Sequence, residues 1–430
     1  MHPAPGIGRR IAYWRARRGL TQAEFARLMG RSVRWVEDVE AGHRQADPRL
    51  SVLAKAALVL HIGIDRLLPA EPNREYHDHD PLAAVRTALR RADTALAVGS
   101  AAVPADLGVL RRELTYGWTA YAAADYGCLD RVVSSVLGAT AGAGGGVAVG
   151  ARGGPASGPS GRVAAGATVS AGGPDGSSGG AALTSTVVRS AALALASAVA
   201  HVYGEPDLAW RAADRAVTSA GRSADVVVLA RAAHRLTDAM VGHEGAGAAV
   251  EFALGAEADL APALDARGRP GRAALRTLRL GAALATARLG DRPATRDLLE
   301  GAERADPGAI QVPLHRVTTH VLLGEYARAI AGRFTPAALA VLPRGRQARH
   351  LIDLARAFAA VGRRGEAVGA LLEAEAVAAQ EIRCRPMNRR FVQEILRLDS
   401  STDGDEARLR ALAARCAGNG SPGPERAWIM

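Results

Sequence analysis

Between Leu20 and Gly42, in LTQAEFARLMGRSVRWVEDVEAG, caps and apolar spacing allow little besides two short helices joined by a tight turn. Thr21 and Glu24 stand in the capping-box relation, where a hydroxyl and a carboxylate three residues apart satisfy each other's exposed backbone N–H groups. A helix is therefore predicted from Gln22, with Phe25, Ala26 and Met29 on one face. Gly30 stops it and Ser32 is a suitable N-cap for a second helix. Val36 and Val39 continue the apolar stripe until Gly42 offers a left-handed C-terminal position. Two helices this short cannot bury a core alone, so flanking helices must complete the unit.

Both flanks supply them. Ile7, Ile11 and Trp14 lie at helical spacing, and Gly19 closes a first helix that carries Arg9, Arg10, Arg15, Arg17 and Arg18. After Gly42, Asp47-Pro48 reads as an N-cap with proline at the first helical position, and Leu50, Leu53, Ala57 and Leu60 give the next apolar face. Ile64 and Leu67 close a short fifth helix. The expected interior of this bundle is Trp14, Phe25, Met29, Val36, Val39, Leu53 and Leu60.

Gly19-Leu20-Thr21-Gln22, Phe25-Ala26, Gly30, Ser32, Val36, Glu40 and Gly42 resemble the Cro/C1 (XRE) family of helix-turn-helix repressors over 7–68. The resemblance implies a lambda-repressor-like five-helix bundle whose third helix enters the major groove of double-stranded DNA. It implies that Gln22, first in helix two, braces a phosphate and a neighbouring base reader, with Thr21 beside it. On helix three it implies Val33, Arg34, Glu37 and Asp38 as the exposed positions, Trp35 beside them, and Arg31 and Ser32 near the backbone; Arg44 completes the set. Arg34 is suited to guanine. Glu37 and Asp38 depart from the small or polar residues common there, because a carboxylate in a phosphate-lined groove is repelled unless a cytosine amino group donates to it. Trp35 also reads as an anchor packed against helix two.

Charge agrees with a polyanion partner by location more than by total. The net charge of +11 is almost entirely arginine, Lys55 being the one lysine, and a GC-rich genome would raise arginine equally. From Met1 to Ala70, however, twelve Lys or Arg face six Asp or Glu. Aromatics are only 4%, with abundant Ala and Gly, so closely packed helices are expected and the fold class is all-α. Cys128, Cys384 and Cys416 are too few and too scattered for a disulfide framework or zinc pattern, which suits a reducing cytoplasm. Val187 to Val202, the most apolar run, is interrupted by Arg189 and reads as too short and polar to span a bilayer, so no membrane partner is expected.

Downstream, a linker is expected over 69–81. Within it Tyr76-His77-Asp78-His79-Asp80 invites a metal reading, but Asp80-Pro81 is more simply a helix start, and no metal or cofactor is expected. Leu107 to Leu137 reads as helical, within the first helices of a C-terminal domain over 82–137. The Gly/Ala/Ser-rich segment 138–182 lacks bulky residues and is expected to be a disordered insertion. Over 183–398 a degenerate repetition appears, with Gly204, Gly242, Gly290, Gly324 and Gly362 each read as the turn of a helix pair, and Arg349 to Val377 as the clearest pair. A helix and a flexible tail are expected over 399–430. These repeats and the headpiece resemble actinobacterial XRE-type regulators with a tetratricopeptide-like (TPR-like) α-solenoid, a likeness that DLAWRAADRA at Asp207 to Ala216 shares.

Stacked repeats form a curved face suited to peptides, proteins or small ligands. Trp118, Tyr121, Tyr203, Trp210, His315, His320 and Tyr326 are candidates to line it, against the plain alternative of core packing. No nucleophile with a base, carboxylate pair or metalloprotease motif is present, so an enzyme is not expected. Two readings follow: a homodimeric, effector-controlled transcriptional regulator, or a helical interaction scaffold whose bundle no longer binds DNA.

Overall fold

The computed structural model describes residues 7–41, 50–62, 67, 81–94, 106–140, 176–397 and 403–417. Twenty helices and no strand occur among these residues. The chain divides into two compact units, one holding the first seven helices and the other the remaining thirteen.

The first unit opens with α1 (Ile7–Arg17), α2 (Gln22–Met29), α3 (Val33–Glu40) and α4 (Leu50–Leu60). Their caps follow the sequence. Thr21 Oγ1 accepts from the Glu24 amide at 3.1 Å while the Thr21 amide donates to the Glu24 carboxylate at 2.9 Å, completing the capping box. Gly30 ends α2 in the left-handed region at φ 63°, and Ser32 caps α3 through the Trp35 amide. At the other end of α3 the terminal residue is Ala41, in right-handed geometry. Gly42, Arg44, the Asp47-Pro48 start and Ile64 lie outside the described residues. All seven expected interior residues are buried together with Ile11, Leu20, Ile62 and Leu67 in one apolar cluster. Gly8 lets α1 approach α3 closely: a Cβ there would lie 1.9 Å from the Val39 carbonyl oxygen, an encounter with backbone that no rotamer change relieves.

The same unit contains α5 (Ala83–Thr94), α6 (Leu107–Ala122) and α7 (Leu129–Thr140). The expected helix from Leu107 to Leu137 is thus two helices, broken over 123–128, where Ala124 takes φ 56°. The Gly-rich segment is helical at both ends, since α7 continues to Thr140 and the next helix begins at Gly176; residues 141–175 and the His77–Asp80 stretch lie outside the described residues.

The second unit begins with five antiparallel hairpins: α8 (Gly176–Tyr203) with α9 (Pro206–Gly221), α10 (Val226–His243) with α11 (Ala246–Asp265), α12 (Arg269–Arg288) with α13 (Arg292–Ala305), α14 (Gln311–Leu322) with α15 (Tyr326–Ala331), and, past the short α16 (Pro336–Ala340), α17 (Arg344–Ala360) with α18 (Arg364–Arg383). Helices α19 (Pro386–Arg397) and α20 (Asp403–Ala417) follow. Gly204, Gly245, Gly290, Gly324 and Gly362 turn these hairpins, each at positive φ that L side chains rarely adopt. Gly242 is therefore not a turn residue: it lies inside α10, and Gly245 makes the reversal. Alanine sets the spacing, as in the first hairpin, where Ala192 and Ala196 of α8 and Ala209, Ala212, Ala213 and Ala216 of α9 are fully buried.

The first helices of successive hairpins touch in series, α8 to α10, α10 to α12, α12 to α14 and α14 to α17, whereas α9, α11 and α13 each lie between two first helices. The row in mutual contact forms the inner side of the stack. Ser185–Tyr203 is, at 19 residues, long and apolar enough to cross a membrane, contrary to the sequence expectation, but 72% of that window is buried inside the protein. Its apolarity is that of a core helix packed against α9 and α10.

Candidate nucleic-acid interface

Helix α3 presents two unlike faces. Val36 and Val39 are buried, while Arg31, Ser32, Val33, Arg34 and Glu37 are exposed and Asp38 is half-buried. The apolar stripe that fastens α3 to the bundle leaves its opposite side polar and projecting, the arrangement a groove-reading helix requires. Trp35 is half-buried against the bundle core, and the Arg31 guanidinium lies 5.5 Å from its ring centroid. Trp35 thus makes the packed contact expected of an anchor while part of its ring stays accessible.

Below this face lies a charged network that residue spacing alone did not reveal. Glu40, at the end of α3, accepts from Arg15 Nη2 at 2.8 Å and from Gln22 Nε2 at 3.0 Å. Arg15 also donates to the Leu20 carbonyl at 2.8 Å, and the Glu40 carboxylate holds the Arg15 pKa above its ordinary value. One carboxylate therefore ties α1, the entry of α2 and the end of α3 together. Gln22 commits its amide nitrogen to this network, leaving its amide oxygen outside that bond. Thr21 is exposed at the entry of α2, while its partner Glu24 has a lowered pKa because the Thr21 backbone and hydroxyl donate to it. A carboxylate at a helix N-terminus is stable there, but it also competes with any phosphate for the same site.

Helix α6 contributes groups absent from the sequence expectation. Arg112 Nη2 reaches Glu24 at 2.7 Å, placing a partly exposed cation beside the α2 entry. Glu113 accepts from Arg18 at 3.2 Å and from Ser135 at 3.1 Å, and lies 3.2 Å from His61 Nε2. Burial pushes the Glu113 pKa up, but His61, Arg18 and Ser135 outweigh it and hold it below the usual value. The Arg18 side chain is only 1% exposed and stacks 4.9 Å from the Tyr116 ring centroid. Their separation along the chain exceeds any helical spacing, so only the tertiary fold reveals the link.

The seven candidate effector residues do not form one cluster. Trp118 and Tyr121 meet edge to face at 5.8 Å within the first unit, and Tyr121 also contacts Tyr126. The other five belong to the second unit. Trp210 packs at 5.1 Å from the His243 ring, Tyr326 packs against an apolar cluster with Val317 and Phe358, and Tyr203 bonds Cys384. His320 pairs with Glu325 at 2.7 Å. His315 is buried with Nδ1 2.7 Å from the Gln311 carbonyl, which it satisfies by donating, and burial lowers its pKa to about 3.

The geometry of α2 and α3 defines a helix-turn-helix, and residues 7–66 match the family model described as a helix-turn-helix domain. The uncharacterized HTH-type transcriptional regulator YazB of Bacillus subtilis (strain 168) is 41% identical over 64 residues, covering 90% of that protein and 15% of this chain. The chain belongs, through this headpiece, to the HTH-type transcriptional regulators.

Proposed function

We propose that the protein is a sequence-specific DNA-binding transcriptional regulator that sets α3 in the major groove, with Arg34 reading a base and Thr21, Gln22 and Arg31 at the phosphates. The observation that carries this reading is the exposed polar side of α3, held rigid by Arg15, Glu40 and Gln22 beneath it. We further propose a cytoplasmic homodimer placing two such helices in successive grooves, with a ligand, peptide or protein partner controlling it from the hairpin array, read as TPR-like. No cofactor, metal or catalytic step enters this reading.

Arg34→Ala is expected to weaken specific binding by about 1–3 kcal/mol while sparing non-specific affinity. Operator titrations in parallel with unrelated duplex check this, and equal losses on both DNAs would remove Arg34 from base reading. Glu37 and Asp38 favour a second reading, a helical scaffold whose headpiece no longer binds DNA. That reading is distinguished by salt: a DNA binder shows affinity falling steeply with ionic strength on any duplex, and a scaffold shows no retention.

A further inference from the structure

The first turn of α2 carries a carboxylate close to where a phosphate would settle. Both oxygens of Glu24 are engaged: Oε2 accepts from the Thr21 amide at 2.9 Å and from the Thr21 hydroxyl at 3.0 Å, and Oε1 accepts from Arg112 Nη2 at 2.7 Å. The bonds from Thr21 close the helix cap and hold the Glu24 pKa below its ordinary value, so they leave its full negative charge in place within one turn of Thr21 and Gln22. Arg112 brings an opposite charge into contact with that carboxylate, while Arg27 acts on it only from farther off.

Arg112 belongs to α6, outside the residues that match the helix-turn-helix family model. Its neighbour in α6, Glu113, accepts from Arg18 at 3.2 Å and from Ser135 of α7 at 3.1 Å, and the Arg18 side chain is only 1% exposed. This buried anchor fixes α6 beside the corner between α1 and α2. There the Arg112 stem passes over Gly19, where an added Cβ would lie 3.9 Å from Arg112 Cδ. Consecutive residues of one helix thus hold opposite charges: Glu113 takes a cation from the end of α1, and Arg112 takes an anion from the start of α2. An ion pair as exposed as Arg112 and Glu24 contributes little stability, so stability alone is a weak reason for it.

We propose that Arg112 is a positioning residue of the DNA interface: by pairing with Glu24 it cancels the negative charge at the entry of α2 and lets a backbone phosphate approach Thr21 and Gln22. The proposal rests on the reading that the headpiece binds DNA through these two residues. Without Arg112 a phosphate would meet an uncompensated carboxylate in the same helical turn, and like charges that close repel. Helix α6, appended to the helix-turn-helix, is on this account part of the DNA-binding machinery.

The test is a fluorescence-anisotropy titration of the full chain with a labelled duplex of mixed sequence, since phosphate contacts are independent of sequence. Arg112→Gln is expected to weaken binding by roughly three- to tenfold, the effect of one uncompensated charge beside the phosphates. Glu24→Gln should bind at least as tightly as the wild type, and it keeps the cap of α2 because glutamine also serves at that position of a capping box. The double variant Glu24→Gln/Arg112→Gln should recover both the affinity and the salt dependence of the wild type. A mere brace would give no recovery, and a direct phosphate contact by Arg112 would lower the salt slope of the double variant by about one. Arg296→Gln, the same loss of charge at an exposed position of the second unit, should leave affinity unchanged. Unchanged affinity in Arg112→Gln, weaker binding by Glu24→Gln, no recovery or a lowered slope in the double variant, or an equal loss in Arg296→Gln overturns the role of Arg112 and leaves the regulator reading standing. No duplex binding by the wild type overturns both.

Discussion

The headpiece and the hairpin array bury their cores by opposite means. In the headpiece a few large side chains, Trp14, Phe25, Met29 and Leu60, fill the space between short helices, and a single apolar cluster serves them all. In the array long helices approach on alanine, and the apolar contacts separate into local clusters, one around Leu260, Leu264 and Leu278, another around Leu280, Leu299 and Val312, a third around Val317, Leu354 and Phe358. A shared core unfolds as a unit; local cores in series divide stability among neighbours. The same contrast governs charge. Glu40 and Glu113 in the first unit each join several segments of the chain, whereas in the array Asp306 and Glu257 each pair with one arginine of the neighbouring α12.

The sharpest way to break this comparison is to remove one large side chain from each region. Phe25→Ala should cost about 3–5 kcal/mol and Leu371→Ala about 2–5 kcal/mol. Hydrogen exchange on the full chain should then show protection falling in α1 to α4 together for Phe25→Ala, but mainly in α17, α18 and their neighbours for Leu371→Ala. An equal loss in α8 and α9 for the second variant would show that the array behaves as one core.

Acid offers a milder test. Burial holds His234 and His350 at about 4 and His315 at about 3, below the ordinary value of 6.5. The folded array therefore binds fewer protons than its unfolded chain below pH 6.5. The stability these imidazoles contribute is complete above 6.5 and is lost as pH falls toward about 4, by roughly 1–2 kcal/mol per imidazole near pH 5. Glu113 of α6, which pairs with Arg18 of the headpiece, is shifted down from 4.5, so its contribution is present above that value and fades only at lower pH. Between pH 6.5 and 5, exchange protection should decline in the array and hold in α1 to α4. A decline confined to the headpiece would reverse the assignment.

The smallest effect expected is that of Arg112→Ala. Its pair with Glu24 is 39% and 30% exposed, so chemical denaturation should register less than about 1 kcal/mol. A larger loss would mean that α6 braces the α2 entry more firmly than its exposure suggests.

Much of the headpiece was legible in sequence because its signals are local. A capping box, Gly30 and Ser32 each act within four residues, and the apolar positions recur at helical spacing. Arg112, Arg18 and Glu113 were not legible, because their pairing joins segments far apart and a lone arginine in a basic chain carries no address. In the array the hairpin turns could be located to within a few residues, yet Gly242 and Gly245 compete in the same stretch, and which of them takes positive φ depends on where α10 ends. The candidate effector residues are the aromatics and histidines suited to an expected concave face, but Trp210 and Tyr326 pack against neighbours instead, which their spacing in the sequence does not reveal.

Contact in series along α8, α10, α12, α14 and α17 has a mechanical meaning. In such a series each hairpin rests mainly on its neighbours, so small rotations of one sign between successive hairpins would add along the row.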